Sequence, residues 1–187
     1  MATSLPNLLT ISRILVIPLI VATFYIEGST ARWVGCVLFV VAAITDFFDG
    51  YFARRSNSVS SLGRFLDPIA DKLLVAAVLL MLTAFERLSH FSYLPALVIL
   101  LREILVSGLR EYLAELRIGM PVSRLAKWKT GIQMTALPTL IVGSAAPHWI
   151  PAQALGEVFL WGAAALTLVT GWDYLRAGLK HMQDGAP

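Results

Sequence analysis

Six long apolar stretches divide almost the whole chain, and they limit its possible folds more than any other feature. They run near residues 7 to 26, 31 to 55, 67 to 88, 93 to 116, 127 to 146 and 153 to 179. A helix needs about 20 mostly apolar residues to cross a bilayer. Each stretch therefore predicts one transmembrane helix, and the 187 residues leave no room for a second folded domain.

The composition excludes most other classes of protein. Charged residues make up 14% of the chain and hydrophobic residues 57%, whereas charged residues reach about 25% in soluble domains. No segment alternates with the period of two that a membrane barrel requires. We therefore expect one all-α integral membrane domain over residues 1–187. The net charge is only +3, without a basic run, so no nucleic-acid partner is expected.

The basic residues predict the orientation of this domain. With six spans, both termini lie on one side, and 13 of the 15 lysines and arginines fall on that side when each is assigned to its nearer helix end. Only Arg32 and Arg87 are assigned to the opposite side. Because basic residues concentrate on the cytoplasmic side of a membrane, we expect both termini to be cytoplasmic.

Four aspartates interrupt the apolar pattern. Asp46 and Asp49 lie in the second stretch, and Asp67 and Asp71 open the third. Side chains three or four residues apart share one face of a helix, and helices joined by a short connection are usually neighbours. We therefore expect the second and third helices to pack as antiparallel neighbours and to bring the four carboxylates together near the cytoplasmic surface.

Such a carboxylate cluster needs positive charge to stay ionised. Carboxylates without histidine or cysteine favour a hard divalent ion such as magnesium, calcium or manganese, and four negative charges suit two such ions. Of these we expect Mg²⁺ or Mn²⁺. One alternative is a salt-bridge network with Arg54, Arg64 or Lys72. Another is a divalent-cation transporter, although the outer halves of the helices are almost purely apolar and offer no continuing path.

The aspartates belong to a longer pattern with fixed spacing. It reads Asp46-x2-Asp49-Gly50-x2-Ala53-Arg54-x8-Gly63-x3-Asp67-x3-Asp71. This string is similar to the signature of the CDP-alcohol phosphatidyltransferases, with every signature position filled. The stretches Pro6 to Arg13, Leu62 to Lys72, Arg102 to Glu111 and Lys127 to Thr130 also resemble the branch that uses CDP-diacylglycerol and glycerol 3-phosphate.

The resemblance implies a membrane-embedded transferase of phospholipid biosynthesis. The expected reaction moves the phosphatidyl group of CDP-diacylglycerol to glycerol 3-phosphate, and it releases CMP and forms phosphatidylglycerol phosphate. The same chemistry with phosphatidylglycerol, to give cardiolipin, or with an inositol phosphate is the alternative. The resemblance also implies a homodimer, contact with membrane lipid and a bacterial inner membrane as the location.

The resemblance assigns roles to the residues of the pattern. Asp46, Asp49, Asp67 and Asp71 would bind two divalent ions, and Asp71 would also be the general base. The residues implied to bind the nucleotide are Gly50, Ala53, Arg54, Asn7 and Thr10.

The phosphate of the acceptor needs cations beside the metal ions. The candidates near the cytoplasmic helix ends are Arg110, Lys127, Lys129 and Arg176. Arg102 and Glu103 lie deeper in the fourth stretch, and we interpret them as structural residues that pair across helices.

Overall fold

A computed structural model describes the backbone of residues 5–56, 61–115 and 124–184, with side chains at 9–46, 66, 68–114 and 124–179. All regular structure in these ranges is helical. The helices are α1 (Leu5–Phe24), α2 (Ser29–Ser56), α3 (Ser61–Ala84), α4 (Tyr93–Glu115), α5 (Arg124–Val142) and α6 (Ala152–Asp184), with one 3₁₀ turn at Gly143–Ala145. The prediction of an all-helical chain with six helices is confirmed for these residues.

Two of the helices have the length and the apolar composition needed to cross a membrane. These segments are Ser29–Asp46 in α2 and Ala152–Leu179 in α6. The apolar part of α1, Leu9–Phe24, is shorter. In α4, an ion pair of Arg102 and Glu103 interrupts the apolar sequence. Within the described residues, length and composition therefore support two membrane-spanning helices.

The six helices form a closed ring around a buried core. Going around it, α2 contacts α1, α1 contacts α3, α3 contacts α4, α4 contacts α6, α6 contacts α5, and α5 returns to α2. Apolar side chains from most of these helices fill the centre, so close packing in one shared core holds the bundle together. The fully buried members include Phe39, Leu74, Leu82, Ile99, Leu137, Leu140 and Leu160.

The expected direct packing of α2 on α3 is not found among the described residues. Helix α1 lies between them and makes extensive contact with both, whereas α2 and α3 share no substantial contact in these ranges. A short connection brings two helix ends together but does not force their whole lengths to pack. Here an apolar first helix supplies the face on which both neighbours are buried.

Helix α3 also begins and ends earlier than the hydropathy pattern predicts. It starts at Ser61 instead of residue 67, so Asp67 and Asp71 stand in its second and third turns. It ends at Ala84 because Glu86 adopts a φ of 51°. The Arg87 amide then donates to the Leu82 carbonyl and the Glu86 amide to the Thr83 carbonyl, which is the hydrogen-bond pattern of a Schellman motif.

The alternation of the helices gives the bundle two chemically different ends. The aspartate end is where α2 finishes and α3 begins, and it also holds the start of α5 and the last turns of α4 and α6. The far end is where α3 finishes and α4 begins, together with the end of α5. Contacts at the far end join Trp33 to Ala145 and Ser89 to Glu157.

Candidate active site

Asp46 is the first predicted site residue whose side chain the structure describes. Its Oδ1 accepts an ion-pair contact from Nη1 of Arg13 on α1 at 2.5 Å. The Arg13 side chain is 1% exposed, whereas the Asp46 side chain is 41% exposed. Thr10, a predicted nucleotide residue, is buried one turn before Arg13. The structure therefore places Thr10, Arg13 and Asp46 at the junction of α1 and α2.

Arg13 is a site residue that the sequence pattern did not lead us to predict. We counted it in the orientation of the chain and in the Pro6 to Arg13 stretch but gave it no role at the site, although a single cation inside an apolar stretch carries the same desolvation cost as the aspartates. Of the cations in the alternative network, Lys72 donates to the Pro68 carbonyl at 2.8 Å. The side chains of Arg54 and Arg64 lie outside the described residues.

Asp71 lies half-buried on α3 beside several cations. Its charge acts on the ammonium groups of both Lys72 and Lys129, and Lys72 also lies within electrostatic range of Glu111 and Arg110. Helices α3, α4 and α5 therefore place Lys129 within electrostatic range of Asp71 and Arg110 within electrostatic range of the neighbouring Lys72, and both cations are among the four predicted acceptor residues.

Glu103 links the buried cations of this region. Its Oε1 contacts Nζ of Lys129 and lies 3.5 Å from Nη1 of Arg102. The Arg102 guanidinium also donates to Thr170 Oγ1 on α6 at 3.0 Å. We expected Arg102 and Glu103 to pair across helices, and they do so. Their partners place them beside Asp71, inside the same charged cluster.

Tyr174 on α6 completes the cluster. Its buried ring lies beneath two guanidinium groups, with ring-centre distances of 5.6 Å to Arg102 and 5.2 Å to Arg110. Its hydroxyl accepts a hydrogen bond from Arg110 Nη2 at 3.4 Å. An aromatic face attracts cations within about 6 Å, so Tyr174 holds the two arginines near each other. Because tyrosine carries no charge signal in the sequence, the apolar pattern gave no reason to predict this residue.

The other two predicted acceptor residues lie elsewhere. Lys127 is exposed on the face of α5 opposite Lys129 and lines a surface groove of about 430 Å³ with Trp128, Gly131 and Phe159. Arg176 is exposed on α6. Residues two apart on a helix point in different directions, which explains why Lys127 and Lys129 do not converge.

Several predicted residues are described only by their backbone. Asp49, Gly50, Ala53 and Arg54 lie within the continuous helix α2, Asp67 lies within α3, and Asn7 lies within α1. Their side chains lie outside the described residues. The convergence of the four carboxylates therefore stays a prediction.

The donor set at this end fits a divalent ion by its chemistry. Among the side chains that the structure describes, no three histidine, cysteine or acidic residues form a metal site. The predicted set combines Asp46 and Asp71 with two further aspartates on the same two helices. Because Asp46 is partly exposed and all four donors are carboxylates, the set suits Mg²⁺ or Mn²⁺ better than a softer metal.

Fold and site together define a class of protein. The chain is a helical bundle with membrane-compatible helices, and at one end buried cations form ion pairs with carboxylates of other helices. The sequence profile of the CDP-alcohol phosphatidyltransferases matches residues 3–169. The chain belongs to this family of enzymes, as the sequence resemblance predicted.

Relatives extend the similarity over nearly the whole chain. A protein of Rickettsia felis is 53% identical over 178 residues, which cover 95% of this chain and 97% of the relative. Proteins of Salmonella choleraesuis and Cereibacter sphaeroides are 40% and 38% identical, and each alignment covers 97% of this chain and 98% of the relative. All three are named CDP-diacylglycerol–glycerol-3-phosphate 3-phosphatidyltransferase.

Proposed function

We propose that the chain transfers the phosphatidyl group of CDP-diacylglycerol to glycerol 3-phosphate. The products are CMP and phosphatidylglycerol phosphate, a step of phospholipid biosynthesis. The names of the relatives support this substrate pair. The observation that carries the proposal is the charged cluster at this end, where the buried Lys129 pairs with Glu103 and lies within electrostatic range of Asp71, and Arg110 lies within electrostatic range of Lys72. Such a site suits an alcohol that carries its own phosphate.

Asp71 acts as the general base in this proposal. It takes the proton from the hydroxyl of glycerol 3-phosphate while that oxygen attacks the phosphorus that bears the diacylglycerol. A new phosphate ester bond forms, the phosphoanhydride bond breaks, and CMP leaves with the bonding electrons. Positioned proton transfer of this kind contributes about 10²- to 10⁴-fold to a rate.

The four aspartates Asp46, Asp49, Asp67 and Asp71 would hold two divalent ions, expected to be Mg²⁺ or Mn²⁺. When bound, these ions neutralise the diphosphate and make CMP a better leaving group. Arg13 fixes Asp46 from the α1 side. We assign the cytidine nucleotide to the residues that follow the first aspartate pair and to the start of α1, namely Gly50, Ala53, Arg54, Asn7 and Thr10.

The acceptor phosphate is assigned to Arg110 and Lys129. Glu103 and Tyr174 hold these cations in place, which lowers the entropic cost of binding an anion. Lys127 and Arg176 are exposed. We assign them the less direct task of attracting the anionic substrates, because exposed charges raise the local concentration of an oppositely charged ligand.

The proposal includes the placement of the protein in its membrane. Residues 1–187 form one domain with six transmembrane helices, both termini in the cytoplasm and the aspartate end at the cytoplasmic surface of a bacterial inner membrane. The protein acts as a homodimer. A diacyl donor keeps its tails in lipid at this depth, while the soluble acceptor reaches the site from the cytoplasm.

The decisive experiment measures CMP release by purified protein in detergent micelles with CDP-diacylglycerol and a panel of acceptors. We expect release with glycerol 3-phosphate only when Mg²⁺ or Mn²⁺ is present, and complete loss with EDTA that added metal reverses. Release only with an inositol phosphate or phosphatidylglycerol would contradict the proposed acceptor. Metal uptake into liposomes without CMP release would contradict the enzyme mechanism.

A further inference from the structure

The far end of the bundle contains a second group of charges that the proposed reaction does not use. Arg32 and Arg87 are the only two of the 15 basic residues that the charge distribution assigns to this side. Although they lie on different parts of the chain, they are neighbours in space. The pKa of Arg87 falls to about 10, mainly because it is partly buried and also because the positive charge of Arg32 is close. The two basic residues that fall on the far side therefore lie close to each other.

Both guanidinium groups meet at the end of α5. The Arg87 group lies 4.3 Å from the centre of the Phe24 ring and donates a long hydrogen bond of 3.5 Å to the Ile141 carbonyl. Nη1 of Arg32 lies 3.1 Å from the position that a Cβ on Gly143 would occupy. The two arginines thus converge on one small region, and contacts with α1 and α5 hold Arg87 there.

Among the described side chains, no full negative charge balances this pair. None of the ion pairs in these ranges involves Arg32 or Arg87. Glu157 joins the same network through Gln153, but it accepts hydrogen bonds from Ser89, Ser92 and Gln153 instead. The end of α5 offers the equivalent of about half a negative charge. Two guanidinium groups therefore keep an excess of positive charge.

Exposed aromatic side chains lie at the same end of the bundle as this charge. Trp33 is 46% exposed, and its Nε1 donates to the Ala145 carbonyl at 3.3 Å just beyond α5. Trp149 and Tyr25, in the connections at this end, are 72% and 70% exposed. Tryptophan and tyrosine are typical of the boundary between membrane and water.

We infer that Arg32 and Arg87 form a binding site for the phosphate group of an anionic phospholipid at the far end of the bundle. Two guanidinium forks match phosphate oxygens in geometry and in charge. The aromatic surroundings favour a lipid phosphate over a free one, since glycerol and acyl chains can continue along the apolar helix surfaces. This inference does not depend on the reaction at the aspartate end.

The experiment measures thermal unfolding of the full chain in nanodiscs of phosphatidylcholine with increasing fractions of phosphatidylglycerol. We expect phosphatidylglycerol to raise the Tm of the wild type. Arg32→Gln and Arg87→Gln should each lose more than half of this rise and bind phosphatidylglycerol about tenfold more weakly, which corresponds to about 1.4 kcal/mol. The double variant should lose little more than either single variant, because both arginines bind one phosphate.

Two further variants separate this site from general charge effects and from misfolding. Arg124→Gln removes an exposed arginine at the aspartate end and should keep the lipid-dependent rise in Tm. Arg32→Lys and Arg87→Lys keep the charge but lose the guanidinium fork, so they should fold but lose part of the lipid response.

Three results would overturn the inference. If the glutamine variants lowered the Tm by the same amount with and without phosphatidylglycerol, the arginines would only cap the end of α5. An unchanged lipid response in the glutamine variants would exclude them as the site. If inorganic phosphate in pure phosphatidylcholine discs reproduced the rise in Tm, the ligand would be free phosphate and not a lipid.

Discussion

The two ends of the bundle hold their charges in different ways. At the aspartate end, cations and carboxylates from separate helices meet directly, as Arg13 does with Asp46 and Lys129 with Glu103. At the far end, the Arg87 guanidinium lies near a backbone carbonyl and an aromatic ring, and Arg32 lies close to it, with no carboxylate in ion-pair contact with either among the described side chains.

This difference separates two uses of charge in an apolar protein. A paired cluster is fixed in position before the substrate arrives, which favours reactions that need precise geometry. A pair of cations without a nearby carboxylate instead attracts an anion from outside the protein. Substitutions can test whether stability and activity at the aspartate end depend on the ion pairs. They can also test whether stability at the far end depends mainly on side-chain packing.

The largest expected effect is on catalysis at Asp71. Asp71→Asn removes the base without a change of size, so CMP release should fall by about 10²- to 10⁴-fold while the circular dichroism spectrum stays the same. Asp173→Asn, at an exposed position of α6, is the matched control and should keep full activity. If Asp71→Asn kept more than a tenth of the wild-type rate, Asp71 would not be the base.

The next effect concerns the ion pairs that hold the cluster together. Glu103→Gln leaves the buried Lys129 ammonium without its carboxylate, and breaking a buried pair on one side costs about 3–5 kcal/mol. We expect a clearly lower Tm in detergent. Glu86→Gln, at an exposed position of the far end, should change stability by at most about 0.5 kcal/mol. Equal Tm values for the two variants would contradict the claim that ion pairs stabilise the aspartate end more than the far end.

Much of the fold could be predicted from the sequence because a long apolar run indicates a membrane helix. The six helices and the break at Gly28, whose φ is +110°, follow from such local signals. The end of α3 does not, since Glu86 takes a backbone conformation that glycine usually adopts. The order of helices around the ring was also not predictable, because it depends on which buried faces fit one another across the whole bundle.

The candidate site also contains residues that the sequence predicts and residues that only the assembled helices reveal. Asp46 and Asp71 stand out because charge in an apolar run is costly. Arg13 gives the same signal, but we assigned it no role at the site. Tyr174 gives no such signal, since its role comes from the two arginines that α4 places over its ring. Partners of this kind become visible only when the helices are assembled.

A smaller effect tests packing at both ends through glycines of α6. A Cβ at Gly156 would lie 2.6 Å from Leu140 Cγ and 3.3 Å from the Leu140 backbone nitrogen, whereas a Cβ at Gly178 would meet only the side chain of Leu109, its Cδ1 at 2.8 Å. Gly156→Ala should cost about 1–3 kcal/mol. Gly178→Ala should cost less, because the Leu109 methyl groups can rotate away.

Gly108→Ala is the control for these two variants. Within the described part of the chain, no atom lies within 4 Å of the added Cβ, so alanine should stabilise α4 by about 0.5–1 kcal/mol. Thermal unfolding of the three variants in the same detergent gives the order directly. A larger loss for Gly178→Ala than for Gly156→Ala would show that packing limits stability at the aspartate end more than at the far end.

The smallest effect concerns the hydroxyl of Tyr174. Tyr174→Phe keeps the ring beneath the two arginines and removes only the 3.4 Å hydrogen bond from Arg110. Because a hydrogen bond of this length lies at the weak end of the range, we expect a loss of about 0.5 kcal/mol. That loss should appear as a roughly twofold higher KM for glycerol 3-phosphate, with kcat and the KM for CDP-diacylglycerol unchanged.

A change in KM without a change in kcat would show that Tyr174 positions Arg110 and does not merely stabilise the fold. Arg110 is assigned to the acceptor phosphate, so a guanidinium that is held less firmly weakens binding of that substrate alone. Tyr112→Phe removes a hydroxyl from an exposed tyrosine of the same region and should change none of the three constants. A fall in kcat for Tyr174→Phe without a change in KM would place Arg110 near the reacting phosphorus, and its assignment to the acceptor phosphate would then be wrong.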